Sequence, residues 1–224
     1  MTIPDAPSYD RYERLQVIGQ PLDTTEIRWF AAGEPPQEYV DWFSDHGQGA
    51  VVELRNDAYR IAGDASVGLK RRDHGPLELK RRQGISPLMA LPGGFKGQIE
   101  EWCKTGLEEP LGDIGWKWGN VYKVVLTRTY SIDAWGSVFQ LSGRKPVAPA
   151  CDVELATVSV DDVTAWTFAL EAWGPGDSRR EVLEASLRAM LLDLPPIPIG
   201  FIANLSLNMG YPEWLAETVW DGIW

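Results

Sequence analysis

The stretch from residue 50 to residue 82 carries charged side chains at every second position of three successive segments. In the first, Val51 to Arg60, charged or polar residues alternate with apolar ones, which is the period typical of a β-strand. Segments 67–72 and 77–82 repeat the pattern, and eight of the chain's 21 basic residues lie in this stretch. A charged row that recurs at strand period is not a solvated tail, so we expect acidic groups opposite it. The aligned side chains are Glu53, Arg55, Asp57, Tyr59, Lys70, Arg72, Glu78, Lys80 and Arg82.

Composition restricts the classes of function. The net charge of −11 argues against a general nucleic-acid surface, and a basic cluster inside an acidic chain indicates a confined anion site. Two cysteines and two histidines provide neither a disulfide framework nor a zinc or histidine-ligated metal site. The sequence has no apolar run of about 18 residues and no secretory signal pattern in residues 1–10. We therefore predict a cytoplasmic protein without nucleic-acid or membrane partners.

The rest of the chain alternates predicted strands with a few helices. Residues 98–105, with Ile99, Trp102 and Cys103 at helical spacing, are predicted to form a short helix. A capping box of Ser178 with Glu181 predicts the start of the best helix. Strands are predicted over 23–30, 116–130, 135–141, 152–160 and 165–173, and helices over 36–46, 178–194 and about 211–215.

About eight strands with helical excursions predict an α+β fold, a closed eight-stranded antiparallel β-barrel. If the apolar strand faces pointed inward, the cations would face solvent; if helices covered the outside, the polar faces would line a lumen. The amphipathic helices favour the second arrangement, because each needs an apolar surface to lie on. We predict one domain over residues 1–224, with 1–22 as a loosely ordered lead-in and 195–224 as an extension packed on the barrel.

The polar faces combine cations with carboxylates, which suits a phosphorylated ligand. Arginine grips phosphate through bidentate contacts, and carboxylates hold Mg²⁺ or Mn²⁺, which prefer oxygen ligands. Lys123 and Arg128 have opposite strand parity, so which of them faces the lumen stays open. The candidate phosphate-binding residues are Arg28, Arg55, Lys70, Arg72, Lys80, Arg82, Lys123 and Arg128, and the candidate metal ligands are Glu26, Asp152, Glu154 and Glu171.

Several of the charged residues also have a purely structural explanation. Arg60, Arg71 and Arg81 are expected to be surface charges, and Glu53 with Arg55, or Glu78 with Lys80, are as well explained as structural ion pairs. No residue pattern marks a catalytic base or nucleophile.

The order of short motifs resembles the CYTH, or triphosphate tunnel metalloenzyme, superfamily. The motifs run from Glu26-x-Arg28 through Arg55-x-Asp57-x-Tyr59, Gly68-Leu69-Lys70-x-Arg72 and Leu77-Glu78-x-Lys80 to Asp152-x-Glu154 and Trp166-Thr167-x-x-x-Glu171. The resemblance implies an eight-stranded tunnel that binds triphosphates with Mg²⁺ or Mn²⁺. Activities in that superfamily include hydrolysis of inorganic or thiamine triphosphate and adenylate cyclisation.

The chain departs from the superfamily's opening Glu-x-Glu-x-Lys signature, because it has Thr24, Glu26 and Arg28. Thr24 removes one carboxylate expected on the metal side, and Arg28 keeps the charge but not the shape of lysine. Two functions therefore stay open. One is a metal-dependent enzyme that hydrolyses a triphosphate or another organic phosphate, and the other is a non-catalytic binder of phosphorylated ligands.

Overall fold

The computed structural model describes residues 16–44, 49–61, 64–73, 75–108, 116–142, 149–176 and 178–220. Four short helices accompany the strands: α1 (Gln37–Ser44), α2 (Ser178–Asp193), α3 (Phe201–Asn204) and α4 (Tyr211–Trp214), the last continued by a π-helical turn, Leu215–Val219. A 3₁₀ turn spans Pro92–Gly94. The strands are β1 (Val17–Ala32), β2 (Val51–Arg60), β3 (Val67–Arg72), β4 (Leu77–Ile85), β5 (Met89–Ala90), β6 (Lys96–Gly97), β7 (Glu100–Leu107), β8 (Trp118–Ile132), β9 (Val138–Gln140), β10 (Ala150–Val160), β11 (Val163–Trp173) and β12 (Leu207–Asn208).

Eight of these strands close into an antiparallel ring. Pairing runs in the order β10, β11, β1, β7, β4, β3, β2 and β8, and β8 returns to pair with β10. The short strands β9 and β12 extend this sheet beside β8 and β1, while β5 and β6 form a separate pair. The expected α+β class and the eight-stranded antiparallel arrangement agree with this architecture.

The three central strands form as predicted, and their charged faces point into the ring. On β2, Arg55, Asp57 and Tyr59 are buried, whereas Val52 and Leu54 are exposed. This inverts the usual rule that apolar side chains are the buried ones. Of the two arrangements left open, the structure therefore has the one in which polar faces line the interior.

The outer faces of several strands carry the main hydrophobic core, which the helices cover. Trp29 of β1 stacks on Phe168 of β11 with ring centroids 6.0 Å apart, and Phe43 of α1 packs in the same cluster. Leu183 and Leu187 of α2 are fully buried against it, each contributing about 1.5–3 kcal/mol of burial free energy. Helices form here because an apolar sheet surface lies outside the ring.

The C-terminal segment, residues 209–220, fills one end of the ring. Trp214 stacks on Phe30 of β1 at 4.7 Å between ring centroids, and Trp220 and Val158 belong to the same buried cluster. Gly68 permits this approach, because a Cβ there would lie 2.9 Å from Cγ of Pro212. Residues 209–220 of the predicted C-terminal extension thus pack into the ring and close that end, whereas Phe201 of the same extension packs in the outer cluster.

Two predicted elements were wrong. Residues 100–105 of the predicted helix 98–105 belong to strand β7 (Glu100–Leu107), because β1 and β4 each need a partner at this edge and an unpaired edge is unfavourable. The predicted lead-in 1–22 overlaps β1, which begins at Val17; residues 1–15 lie outside the described part. Helix α1 ends at Ser44, and the predicted end near His46 lies outside the described residues. At the start of α2, the hydroxyl of Ser178 donates to the Pro175 carbonyl at 2.5 Å.

Within the described ranges, no helix has both the length and the apolar character that a membrane crossing requires.

Candidate functional site

The ring encloses a charged cavity of about 220 Å³, and each of the eight ring strands contributes to its wall. Among the described residues, seven cationic and four anionic side chains line it, a formal excess of three positive charges in a chain whose net charge is −11. Tyr211 and Pro212 of the C-terminal segment complete the wall. The cations are Arg28, Arg55, Lys70, Arg72, Lys80, Lys104 and Lys123, and the anions are Glu26, Glu78, Glu154 and Glu171.

Arg28 lies near the centre of the network and is 4% exposed. Its Nε donates to Glu26 Oε1 at 2.8 Å, and its Nη1 donates to the Thr167 hydroxyl at 3.0 Å. Nη2 donates to Glu154 Oε2 at 3.3 Å, and the guanidinium lies 4.5 Å from the centroid of the Tyr211 ring. A guanidinium can satisfy these partners together because its donors form a rigid fork.

Lys80 and Lys104 hold a pair of opposed carboxylates on β1 and β11. The Nζ atom of Lys80 contacts Glu26 and lies 3.9 Å from Glu171 Oε1, and Lys104 Nζ lies 2.5 Å from the same Glu171 oxygen. Burial opposes the ionisation of Glu26, but Lys80 and Arg28 outweigh it and lower the pKa of this carboxyl. Burial likewise opposes ionisation of Glu171, and Lys104 and Lys80 hold its pKa well below the usual range.

Lys123 lies in an aromatic pocket beside a buried carboxylate. Its Nζ donates to Asp57 Oδ2 at 2.8 Å and to the Tyr59 hydroxyl at 3.1 Å, and it lies 4.0 Å from the centroid of the Tyr211 ring. Burial lowers the pKa of Lys123 to about 7; Asp57 opposes this change and Lys70 adds to it. Burial would raise the pKa of Asp57, but Lys123 and Lys70 lower it to about 2.

The burial of Lys123 predicts a specific pH dependence of stability. Its folded pKa of about 7 lies below the roughly 10.4 of an unfolded lysine, so between these values the unfolded chain binds more protons. The free energy of unfolding should therefore rise with pH across this window, by up to about 1.4 kcal/mol per pH unit from this group. Urea denaturation from pH 7 to 10 should show this slope in the wild type and lose it in Lys123→Met. Exposed Lys117→Met is the control, and parallel curves for all three proteins would contradict the assignment.

The remaining cations also have carboxylate partners. Arg55 contacts Glu53 and lies 3.6 Å from Glu154 Oε1. Lys70 Nζ lies 3.1 Å from Glu78, and Arg72 Nε lies 3.4 Å from Asp57. Of the two predicted structural pairs, Glu53 with Arg55 is present. In the second, Glu78 pairs with Lys70 in place of Lys80. An anionic ligand that binds here must replace some of these carboxylates as the partner of the cations.

Six of the eight predicted phosphate-binding residues lie together in the cavity: Arg28, Arg55, Lys70, Arg72, Lys80 and Lys123. Arg82 does not line it but bridges Glu100 and Glu213 at 2.6 Å each, which ties the C-terminal segment to β7. Arg128 lies on the other face of β8, where it donates to the Phe43 carbonyl at 2.9 Å and holds the end of α1. Strand parity decides the open question, because Lys123 faces the cavity and Arg128 faces the outer core.

Three of the four predicted metal ligands, Glu26, Glu154 and Glu171, line the cavity. Asp152 is opposite Glu171 in the β10–β11 register but does not line the cavity; its Oδ1 accepts a 2.6 Å hydrogen bond from Thr129. Oxygen donors of this kind suit Mg²⁺ or Mn²⁺, yet each cavity carboxylate is held by lysine or arginine. In the described part of the chain, no three acidic, histidine or cysteine side chains are grouped so that they could hold a metal ion. To bind a metal ion, these carboxylates would have to exchange lysine or arginine partners for it.

Two cavity residues were missed in the sequence. Lys104 lies on β7, and treating 98–105 as a helix concealed its alternation with Glu100 and Trp102. That period of two was the available signal. Tyr211 comes from a separate C-terminal segment, and no local pattern indicates that its ring reaches Arg28 and Lys123.

The cavity continues into a wider concavity of about 590 Å³ near the β3–β4 turn. The two share Leu22, Lys70, Arg72, Glu78 and Lys104. The concavity also includes Gln20, Pro76 and Thr105, so it is less charged than the inner cavity. A ligand can therefore reach the inner cations from this side.

Thr24, the position that departs from the resemblance, is buried on the inner side of β1. It is 1% exposed and faces Trp102 and Trp173 in register. Among the described residues its hydroxyl has no hydrogen-bond partner. Thr24 is thus a buried packing residue next to the Glu26 network.

Replacing Thr24 by valine should raise the free energy of unfolding by about 1 kcal/mol, because it removes a buried unsatisfied hydroxyl. The neighbouring Thr25 provides a matched control, since its hydroxyl donates to Glu101 at 2.7 Å and accepts from Arg179 at 3.3 Å. Thr25→Val should lower stability by a similar amount. Chemical denaturation of both variants checks this, and a loss in Thr24→Val equal to that in Thr25→Val would contradict it.

Comparison with protein-family models and with curated proteins returns no match for the chain. The resemblance to triphosphate tunnel metalloenzymes therefore stays a prediction that depends on the motifs named above. The charged cavity is the basis for inferring function.

Proposed function

We propose that this protein binds a triphosphate or another compact organic phosphate in the ring cavity, and that the ring is the β-barrel tunnel that the resemblance implies. The observation that carries the proposal is the convergence of seven cations from six strands of one closed ring into about 220 Å³. Charged hydrogen bonds to phosphate oxygens are about twice as strong as neutral ones. Low-dielectric walls focus the positive field toward an incoming anion.

The size of the cavity favours a compact polyanion. Its volume of about 220 Å³ is smaller than the roughly 300–1,000 Å³ of sites that enclose a drug-sized ligand. The phosphate groups would lie among Arg28, Arg55 and Lys123, and an organic substituent would remain in the concavity by the β3–β4 turn. Cytoplasmic location and the lack of nucleic-acid or membrane partners stay predictions from composition.

Thermal stability tests this proposal by mass action. A ligand present at about 100 times its Kd adds about 2.7 kcal/mol to the free energy of unfolding. Tripolyphosphate should raise the melting temperature, and inorganic phosphate at matched ionic strength should raise it much less. Equal shifts from the two anions would reject a site built for condensed phosphate.

The second candidate function is metal-dependent hydrolysis of the bound phosphate. It is favoured by the register that sets Glu26 opposite Glu171, and Glu171 opposite Asp152. Glu26 and Glu171, with Glu154, line the cavity and would hold Mg²⁺ or Mn²⁺, which would neutralise phosphate charge. Binding without catalysis is favoured by the lysine and arginine partners of the same carboxylates and by Thr24. Phosphate release from tripolyphosphate, measured with and without Mn²⁺, separates the two.

A further inference from the structure

Glu26 and Glu171 are directly opposite each other on β1 and β11. Such cross-strand positions bring Cβ atoms to about 4.5–5.5 Å, and like charges placed there destabilise a sheet. Glu26 is buried and Glu171 is mostly buried, with side-chain exposures of 1% and 14%. The pair therefore requires a positive charge between or beside its members.

Two lysines from neighbouring strands supply that charge. Lys80 of β4 contacts Glu26 and lies 3.9 Å from Glu171, so it bridges the pair, while Lys104 of β7 lies 2.5 Å from Glu171. Lys80 is also 4.7 Å from the centroid of the Trp102 ring, which restricts its position. The two ammonium groups carry a total of two positive charges, equal to that of one divalent cation, and Arg28 adds a further contact to Glu26 at 2.8 Å.

We propose that Lys80 and Lys104 take the place of a divalent cation beside Glu26 and Glu171, so that the site binds its polyanion without metal. The carboxylates then act as counterions that position the two lysines toward the ligand. The part that concerns the polyanion rests on the proposed function. The part that concerns the lysines and the carboxylates does not.

Calorimetric titration with Mn²⁺ alone tests the part of the proposal that concerns the lysines and the carboxylates. The wild type should show weak or no binding, and Lys80→Gln/Lys104→Gln should bind Mn²⁺ roughly tenfold or more tightly, because two competing charges are removed. Adding Glu171→Gln to the double variant should abolish the gain. Lys96→Gln, a change at an exposed lysine, is the matched control and should behave like the wild type.

Removing both lysines leaves Glu171 without either of its lysine partners and Glu26 with Arg28 as its remaining cation, so the double variant is expected to lose stability. Mn²⁺ should then raise its melting temperature and leave that of the wild type unchanged. If the double variant does not fold even with Mn²⁺, the single variant Lys104→Gln, in which Lys80 still bridges the pair, gives the same comparison. A wild type that binds Mn²⁺ as tightly as these variants would overturn the inference.

Titration with tripolyphosphate in EDTA tests the other part, that the site binds its polyanion without metal. The wild type should bind it with metal removed, and binding that appears only when Mn²⁺ is present would overturn the inference. Failure of the wild type to bind tripolyphosphate under either condition would reject the proposed function and the polyanion part with it. The Mn²⁺ titration would still decide the role of the lysines, so the two failures are distinguishable.

Discussion

Trp214→Ala is expected to lower the free energy of unfolding by about 3–5 kcal/mol, the usual cost of truncating a buried aromatic residue. Trp214 is 1% exposed and stacks on Phe30 inside the ring. Loss of its ring would leave a cavity that the surrounding strands cannot fill, because they are held by their pairing. Trp135→Ala is the matched control, since Trp135 is 91% exposed, and it should change stability by less than about 0.5 kcal/mol.

The same variant should weaken ligand binding, because Tyr211 and Pro212 on this segment line the cavity. Urea denaturation gives the stability change, and a tripolyphosphate titration well below the melting temperature gives the change in binding. Similar denaturation curves for Trp214→Ala and Trp135→Ala would show that the C-terminal segment does not close the ring.

Lys80→Ala should weaken tripolyphosphate binding by about 1.5–3 kcal/mol, the scale of a hydrogen bond to a charged group, or roughly 10- to 150-fold in Kd. Lys80 lines the cavity, whereas the adjacent Arg81 is exposed on the other face of β4. Arg81→Ala removes an equal charge one residue away and should leave the Kd within about twofold. Calorimetric titration of both variants provides the comparison. If Arg81→Ala were as damaging as Lys80→Ala, long-range charge and not a defined site would explain the binding.

The inner and outer faces of the ring could be predicted because alternation along a strand is a local property. Arg55 and Lys80 were placed by counting in steps of two, and Lys123 follows the same rule once β8 runs without a bulge through it. The pattern also indicated that polar side chains point inward, because helices with apolar stripes require an apolar surface outside. Both patterns are local, so the sequence alone is enough to recognise them.

Contacts between distant segments could not be predicted in the same way. The stretch around Trp102 fits a helix or a strand equally well by spacing, and only the need to pair β1 with β4 selects the strand. Arg82 has the parity of Lys80, but Glu100 and Glu213 draw it toward the C-terminal segment. Tyr211 reaches the cavity through the packing of Trp214 on Phe30, which no local spacing encodes. Contacts between segments that are distant in sequence thus determined the features that strand alternation alone could not predict.

The most direct test of the central claim is a crystal structure of the protein with tripolyphosphate. The ligand should lie inside the ring, with oxygen atoms within hydrogen-bond distance of Arg28, Lys80 and Lys123, and with Tyr211 closing the inner end. Some of the present ion pairs to Glu26, Glu154 and Asp57 should lengthen as the ligand replaces them. Tripolyphosphate bound only on the outer surface, with the cavity ion pairs unchanged, would contradict the account.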